Sequence, residues 1–207
     1  MSGRSQVSAV VLAAGRSARM GEVKQLLRLG DATVLELTIK NLRGTDLHEI
    51  VLVLGFAAEE ILRQLPAEIL DGLKVVRNPD FEQGMASSLC EGLRAVSSES
   101  DAALIVLADQ PFVRSETISR IAEIYRDSEA EIVIPFHKGQ RGNPVLLSRS
   151  LFGEALMLEG DTGFRSIFSK HVDQIAHLEV DDEGVLLDID SPGDYERLRS
   201  LYPFFED

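Results

Sequence analysis

Runs of branched aliphatic residues alternate along this chain with stretches whose apolar residues recur at helical spacing, and that alternation leaves few folds open. Residues 7–12, Ile50–Leu54, Ala102–Leu107 and residues 131–135 read as buried strands, with a shorter one at 73–76. Between them, residues 34–42, 57–65, 87–96 and 115–125 gather apolar side chains on one helical face. Buried strands joined by amphipathic helices build βαβ units, so the pattern predicts a parallel sheet with helices on both faces. After Pro135 the rhythm changes: 137–142 is polar, and 145–147 reads as a strand with no crossover helix before it. Residues 175–180 and 185–187, separated by an acidic turn, predict a hairpin, and Ser191-Pro192 predicts a last helix through Leu201. The expected fold is a Rossmann-like, open, mostly parallel α/β sheet with accessory antiparallel strands in the carboxyl-terminal half. At 207 residues, one domain spanning 1–207 accommodates it.

The segment after the first strand is Leu12-Ala13-Ala14-Gly15-Arg16-Ser17-Ala18-Arg19-Met20-Gly21-Glu22-Val23-Lys24. At a strand's carboxyl end such a loop offers backbone N–H groups and three cations to a polyphosphate. Gly15 and Gly21 are six apart and Lys24 is not adjacent to the second glycine. Neither G-x-x-x-x-G-K-[ST] nor G-x-G-x-x-G therefore fits, and neither a P-loop ATPase nor an ordinary dehydrogenase is indicated. Arg19 supplies a planar fork for two oxygens and Lys24 a flexible point charge. Arg16 reads equally well as a solvated loop charge.

The formal charge of −13 argues against nonspecific nucleic-acid binding. Arg16, Arg19, Lys24 and Arg28 concentrate positive charge within thirteen residues, which suits a small anionic ligand. Cys90 is the only cysteine, residues 1–6 are polar, and no apolar run reaches the length of a membrane span. A cytoplasmic protein without a membrane partner is expected.

The first segment resembles the nucleotidyltransferase signature L-A-[AG]-G-x-S-x-R-M-G-x-x-K. The resemblance continues at Gly84-Met85-Ala86-Ser87-Ser88-Leu89, Ala108-Asp109-Gln110-Pro111, Arg141-Gly142-Asn143-Pro144, Gly160-Asp161-Thr162-Gly163-Phe164-Arg165 and Asp188-Ile189-Asp190-Ser191-Pro192. These blocks run in order over nearly the whole chain and are similar to the molybdenum cofactor cytidylyltransferases, within the MobA-like NTP transferases. The resemblance implies a nucleotide-diphospho-sugar transferase-like fold whose amino-terminal half binds nucleotide and whose carboxyl-terminal half binds the acceptor. It implies transfer of CMP from CTP to the phosphate of molybdopterin or its molybdenum form, with magnesium, release of pyrophosphate, and a molybdoenzyme as possible recipient.

Such a transfer needs charge neutralisation and positioning rather than a protein nucleophile. Lys24, Arg19 and Asp109 are the catalytic candidates. Leu12, Ala13, Ala14, Gly15, Arg16, Ser17 and Gly21 are nucleotide-binding candidates, and the resemblance adds Asn78, Gly84 and Ser87. Magnesium takes oxygen ligands, and one or two carboxylates suffice when phosphates supply the rest. Asp109 sits at the end of an apolar strand, and the resemblance gives both it and Asp190 a metal role; Asp188 is a fallback. Asp190 also reads as part of an ordinary helix start, Asp109 as the opening of a turn, and Gly84 to Ser87 as a plain helix cap. Arg141, Asn143, Asp161 and Arg165 are candidates for the acceptor, with Asp161 equally an N-cap of a helix over 162–169. Cys90 reads as packing, and the four histidines as surface or loop residues, with His137 alone near the site.

Alanine at position 14 goes, in the resembled family, with cytidine enzymes and glycine with guanosine enzymes; a methyl group there leaves less room for a purine. The alternatives are a guanylyltransferase of the same cofactor, the methylerythritol phosphate cytidylyltransferase, and a nucleotide-binding molybdoenzyme chaperone without turnover. Val23 stands where the methylerythritol enzymes typically have proline, and Lys24, Asp109 and Asp190 together argue against lost turnover.

Overall fold

Strand β1 (Val7–Ala13) is buried along its length because it has a parallel neighbour on each side and helices over both faces. In the computed structural model, residues 4–16, 20–161 and 164–202 are described. After β1 come β2 (Arg28–Leu29), β3 (Ala32–Thr33), α1 (Val34–Arg43), β4 (Ile50–Leu54), α2 (Ala58–Gln64), α3 (Ala67–Leu70), β5 (Leu73–Arg77) and α4 (Met85–Ala95). The chain continues through β6 (Ala102–Leu107), α5 (Ser115–Asp127), β7 (Ile132–His137), β8 (Gln140–Arg141) and β9 (Val145–Ser148). It ends with α6 (Phe152–Ala155), α7 (Arg165–Lys170), β10 (Ile175–Glu179) and α8 (Pro192–Leu201).

The main sheet runs β10-β7-β9-β6-β1-β4-β5, with β8 on β7, and β2–β3 form a separate ribbon. The pairs β1–β4, β1–β6, β4–β5 and β7–β10 are parallel, while β9 lies antiparallel between β6 and β7. Because side chains alternate along a strand, β1 feeds two cores. Ala9 and Val11 face Leu35 and Ile39 of α1, Ile61 of α2 and Ile121 of α5. Val10 faces the other way, toward Leu89 and Leu93 of α4, Phe152 of α6 and Ile167 of α7. A third cluster, with Leu29, Phe112, Ile189 and Leu198, closes α8 over the β2–β3 ribbon.

Local chemistry sets the helix ends. Thr33 caps α1 by accepting the Glu36 N–H, and Ser191 with Asp194 forms a capping box ahead of Pro192 in α8. The loops after β1 and β6 leave the same edge of the sheet, because Leu12 lies opposite Leu107 and the Ala108 N–H donates to Leu12 O at 3.2 Å. Among the described residues no helix is long and apolar enough to cross a membrane.

Three expectations need correction. The hairpin over 175–187 does not form: β10 joins β7 in parallel, and Glu183–Leu186 is a short 3-10 helix. The reason is Asp182, which is buried and turns the chain inward by accepting the Gly184 N–H at 3.0 Å. Gly184 then lies so close to Phe112 that a β-carbon would be 2.1 Å from its carbonyl oxygen. Second, the helix expected from 162 begins at Arg165, and Asp161 caps another helix instead. Third, His137 is a buried end of β7, with Nδ1 donating to Val180 O at 3.0 Å.

Candidate active site

Two adjoining clefts open where β1 and β6 end. The first, about 570 Å3, is lined by the loop residues Ala14, Gly15, Arg16, Lys24 and Gln25, by Asp109 after β6, and by residues around the start of α4 including Phe81, Glu82, Gly84 and Ser88. The second, about 180 Å3, is lined by Arg141, Asn143, Leu158, Phe164 and Phe168 among others, and shares Leu12, Met85 and Leu107 with the first.

Beside the first cleft, three residues distant in sequence meet. The Lys24 ammonium donates to Asp109 Oδ2 and, at 3.3 Å, to Asp190 Oδ1. The lysine and Asp109 side chains are 14% and 17% exposed, and Asp190 37%, so the cluster is shielded on the protein side and open toward Asp190. Burial alone would discourage the lysine charge, but the Asp109 and Asp190 carboxylates outweigh it and hold its pKa above the ordinary lysine value. Asp188 shares the neighbourhood: burial first, then the negative charges of Asp190 and Asp109, raise its carboxyl above the usual aspartate range. The donor set is all oxygen and converges on one cation, which fits a hard divalent ion that leaves positions for phosphate and water. Among the described residues no group of three or more His, Cys, Asp or Glu side chains forms a closed metal site.

The other candidates fall in distinct places. Ala14, Gly15 and Arg16 line the first cleft, where Arg16 pairs with Glu82 and lies 5.8 Å from the Phe81 ring centroid. Ala14 is buried, with its methyl against Gly55. Ala13 is behind the cleft, its carbonyl accepting from Gln25 Nε2 at 3.1 Å. Gly21 is an exposed turn residue. Ser17 and Arg19 lie outside the described residues, as do Thr162, Gly163 and the Arg165 side chain. Asn78 is buried: its Nδ2 donates to the hydroxyls of Ser87 (2.8 Å) and Ser88 (2.9 Å), and its Oδ1 accepts the Asp80 N–H. Ser87 lines neither cleft, and its hydroxyl lies 2.8 Å from Gly84 O. Asp161 lines the first cleft rather than the second.

The start of α4 is not an open anion site, since Met85 and Ala86 donate their N–H groups to Asp161 Oδ1 and Gly160 O. Arg141 and Asn143 do reach the second cleft, where Arg141 lies 5.1 Å from the Phe168 ring centroid and Phe164 stacks on Phe168 at 5.8 Å. Cys90 is buried against α6, and burial raises its thiol pKa, which suits packing rather than nucleophilic chemistry. Sequence reasoning missed Gln25, whose Nε2 is committed to Ala13 O and whose Oε1 is buried without a hydrogen-bond partner. It also missed Phe81 and Glu82 as cleft walls, which no pattern marks because only the fold brings their loop beside residues 14–16, and it passed over Ser88 within the Gly84–Leu89 block.

The MobA-like NTP transferase domain profile matches residues 9–175. The chain belongs to that family. It is 26% identical over 200 residues to the molybdenum cofactor cytidylyltransferase of Escherichia coli, covering 96% of this chain and 98% of that protein. It is 30% identical over 198 residues to the purine catabolism protein PucB of Bacillus subtilis, covering 92% and 94%. The crystal structure of Rv0371c from Mycobacterium tuberculosis in complex with manganese superposes with a TM-score of 0.80 at 33% identity, over 95% of this chain and 99% of that one. This MobA-like protein is therefore a nucleotidyltransferase acting on small-molecule substrates, with the nucleotide-diphospho-sugar transferase fold.

Proposed function

We propose that this MobA-like nucleotidyltransferase moves CMP from CTP onto the phosphate of molybdopterin or molybdenum cofactor, releasing pyrophosphate, as one cytoplasmic domain. The observation that carries the reading is the pairing of a charged cleft, centred on Lys24 and Asp109, with an adjoining apolar and aromatic cleft that holds Arg141 and Asn143. The first cleft takes a triphosphate. The second takes a flat heterocycle between aliphatic and aromatic side chains, with an arginine for its phosphate.

In this reading Leu12, Ala14, Gly15 and Arg16 border the nucleotide, with Ala13, Ser17 and Gly21 shaping the loop. Asn78, Gly84 and Ser87 support its base and sugar. Lys24 and Arg19 carry phosphate charge, and the raised pKa of Lys24 keeps it a cation across neutral pH. Asp109 and Asp190 would hold Mg2+, which when bound neutralises phosphate charge and helps align the reacting phosphate. Arg141, Asn143 and Arg165 belong to the acceptor side, Asp161 borders the first cleft while bonded to Met85, which lines both, and a molybdoenzyme is the recipient of the product. The relative crystallised with manganese supports a divalent ion, and the cytidylyltransferase relative supports CTP.

A melting-temperature panel with CTP, GTP, ATP and UTP, with and without magnesium, tests this. A ligand at a hundred times its dissociation constant adds about 2.7 kcal/mol to stability. The expected result is the largest shift with CTP, dependent on magnesium, followed by pyrophosphate release with molybdopterin. A larger shift with GTP moves the assignment to guanylyl transfer.

A further inference from the structure

Leu158, Phe164 and Phe168 form one wall of the second cleft. The Asp161 carboxylate and the Gly160 carbonyl beside this wall are directed at the start of α4. The Met85 N–H donates to Asp161 Oδ1 at 2.8 Å, and the Ala86 N–H to Gly160 O at 3.1 Å. Helix α4 has Gly84 at its own cap position, which has no side chain to offer, so its cap comes from 76 residues away. Gly84 has φ of +101°, and a β-carbon there would lie 2.6 Å from the Gly160 carbonyl carbon and 2.8 Å from Asp161 Oδ1. The two segments therefore meet closely at Gly84 and Gly160, and any side chain at 84 would push them apart. Aspartate is among the best capping residues, and its charge suits the positive end of a helix. Met85, which receives the clasp, lines both clefts.

We propose that Asp161 is a positioning residue: its carboxylate clasps the acceptor-side segment to the start of α4. The clasp fixes the wall of the second cleft relative to Lys24 and Asp109. Asp161 then serves the acceptor through the chain it holds rather than by touching it. The proposal rests on the reading of the second cleft as the acceptor site.

The full-length protein is compared with its Asp161→Asn and Asp161→Ala variants. Asparagine keeps an oxygen for the Met85 N–H and loses only the charge, whereas alanine loses both; Asp161 is exposed, so neither change disturbs the core. In the ligand-free protein, amide hydrogen exchange at Met85 and Ala86 is expected to be about tenfold faster in Asp161→Ala and near the parent rate in Asp161→Asn. With molybdopterin as acceptor, Asp161→Ala is expected to raise the acceptor KM about tenfold, a larger change than in the CTP dissociation constant, although Asp161 also borders the first cleft. Asp161→Asn, which keeps the capping oxygen, should restore the acceptor KM to near the parent value. Equal exchange in all three proteins overturns the clasp. An asparagine variant as impaired as the alanine variant overturns it too, because charge rather than the capping oxygen then matters. If the parent protein transfers nothing to molybdopterin, the proposed function fails, while the exchange comparison still decides the clasp.

Discussion

The two clefts share Leu12, Met85 and Leu107 yet are built on opposite terms. The first gathers charge: Lys24, Asp109 and Asp190 come from three loops and meet only because β1 and β6 are neighbours and the chain before α8 returns beside them. The second gathers shape: Leu158, Phe164 and Phe168 come from one short segment packed on α4, with Arg141 over an aromatic ring. On the proposed function, the phosphate chemistry is anchored to the sheet edge, while the acceptor wall depends on small helices and a capping contact. Changes at the first cleft should act on the nucleotide and on turnover, and changes at the second on the acceptor.

The largest effect is expected for Asp109→Asn. Losing this preorganised charge should reduce turnover by about 10³-fold with the acceptor KM little changed, measured by pyrophosphate release. A normal rate would remove Asp109 from the chemistry. Next comes Asp182→Ala, which lies outside both clefts. Asp182 accepts from the Arg114 N–H (3.0 Å), the Thr117 hydroxyl (2.6 Å) and the Gly184 N–H (3.0 Å), all at a buried site. Stranding those donors should cost about 2–3 kcal/mol in a denaturant titration, with the CTP-induced melting shift retained. A loss of CTP binding without a loss of stability would mean the clefts are not insulated from that region.

A smaller effect follows from Phe168→Ala, which removes the ring under Arg141 and half of the Phe164 stack. It should raise the acceptor KM about tenfold and leave the CTP melting shift intact. If CTP binding fell equally, the division between the clefts would collapse. The smallest is a pH effect behind the second cleft, where His171 bonds Glu154 at 2.8 Å and Gln174 at 2.7 Å. Those bonds, that to Glu154 first, raise the histidine pKa above 6.5. The stabilisation is therefore complete below about pH 6.5 and fades as pH rises through the higher folded value. Melting curves between pH 5 and 9 should show this slight decline, and His171→Gln should flatten it. The lysine of the first cleft should contribute no slope in that range, because its pKa is raised above 10.5.

The βαβ part of the fold was legible because its signal is local. The runs at Ile50–Leu54 and Ala102–Leu107 are strands with those bounds, and the helical stretches at 34–42, 87–96 and 115–125 are α1, α4 and α5 to within two residues at each end. Past residue 135 the legibility drops. Residues 185–187 form an apolar run that reads as a strand, but the burial of Asp182 and the contact of Gly184 with Phe112 put Glu183–Leu186 into a 3-10 helix. Lys24 and Asp109 stood out because a glycine-rich cationic loop and an aspartate after an apolar run carry chemistry that shows in sequence, while Asp190 joined them through the family resemblance. Gln25 and Ser88 did not, since a buried amide and a helix-start serine look the same whether or not a cleft lies beside them.

What the sequence determined by itself is the order of the long strands and helices in the βαβ part, the Ser191–Pro192 helix start and the membership of a nucleotidyltransferase family. Apolar periodicity and capping residues report what each segment buries against its own neighbours. Tertiary structure alone decided that Asp190 meets Lys24 across 166 positions and that Asp161 caps α4 across 76. It likewise decided that Asp182 holds α5 from the far end of the chain. Those contacts depend on strand order and on which loops leave the same edge of the sheet, and no spacing within a single segment encodes either.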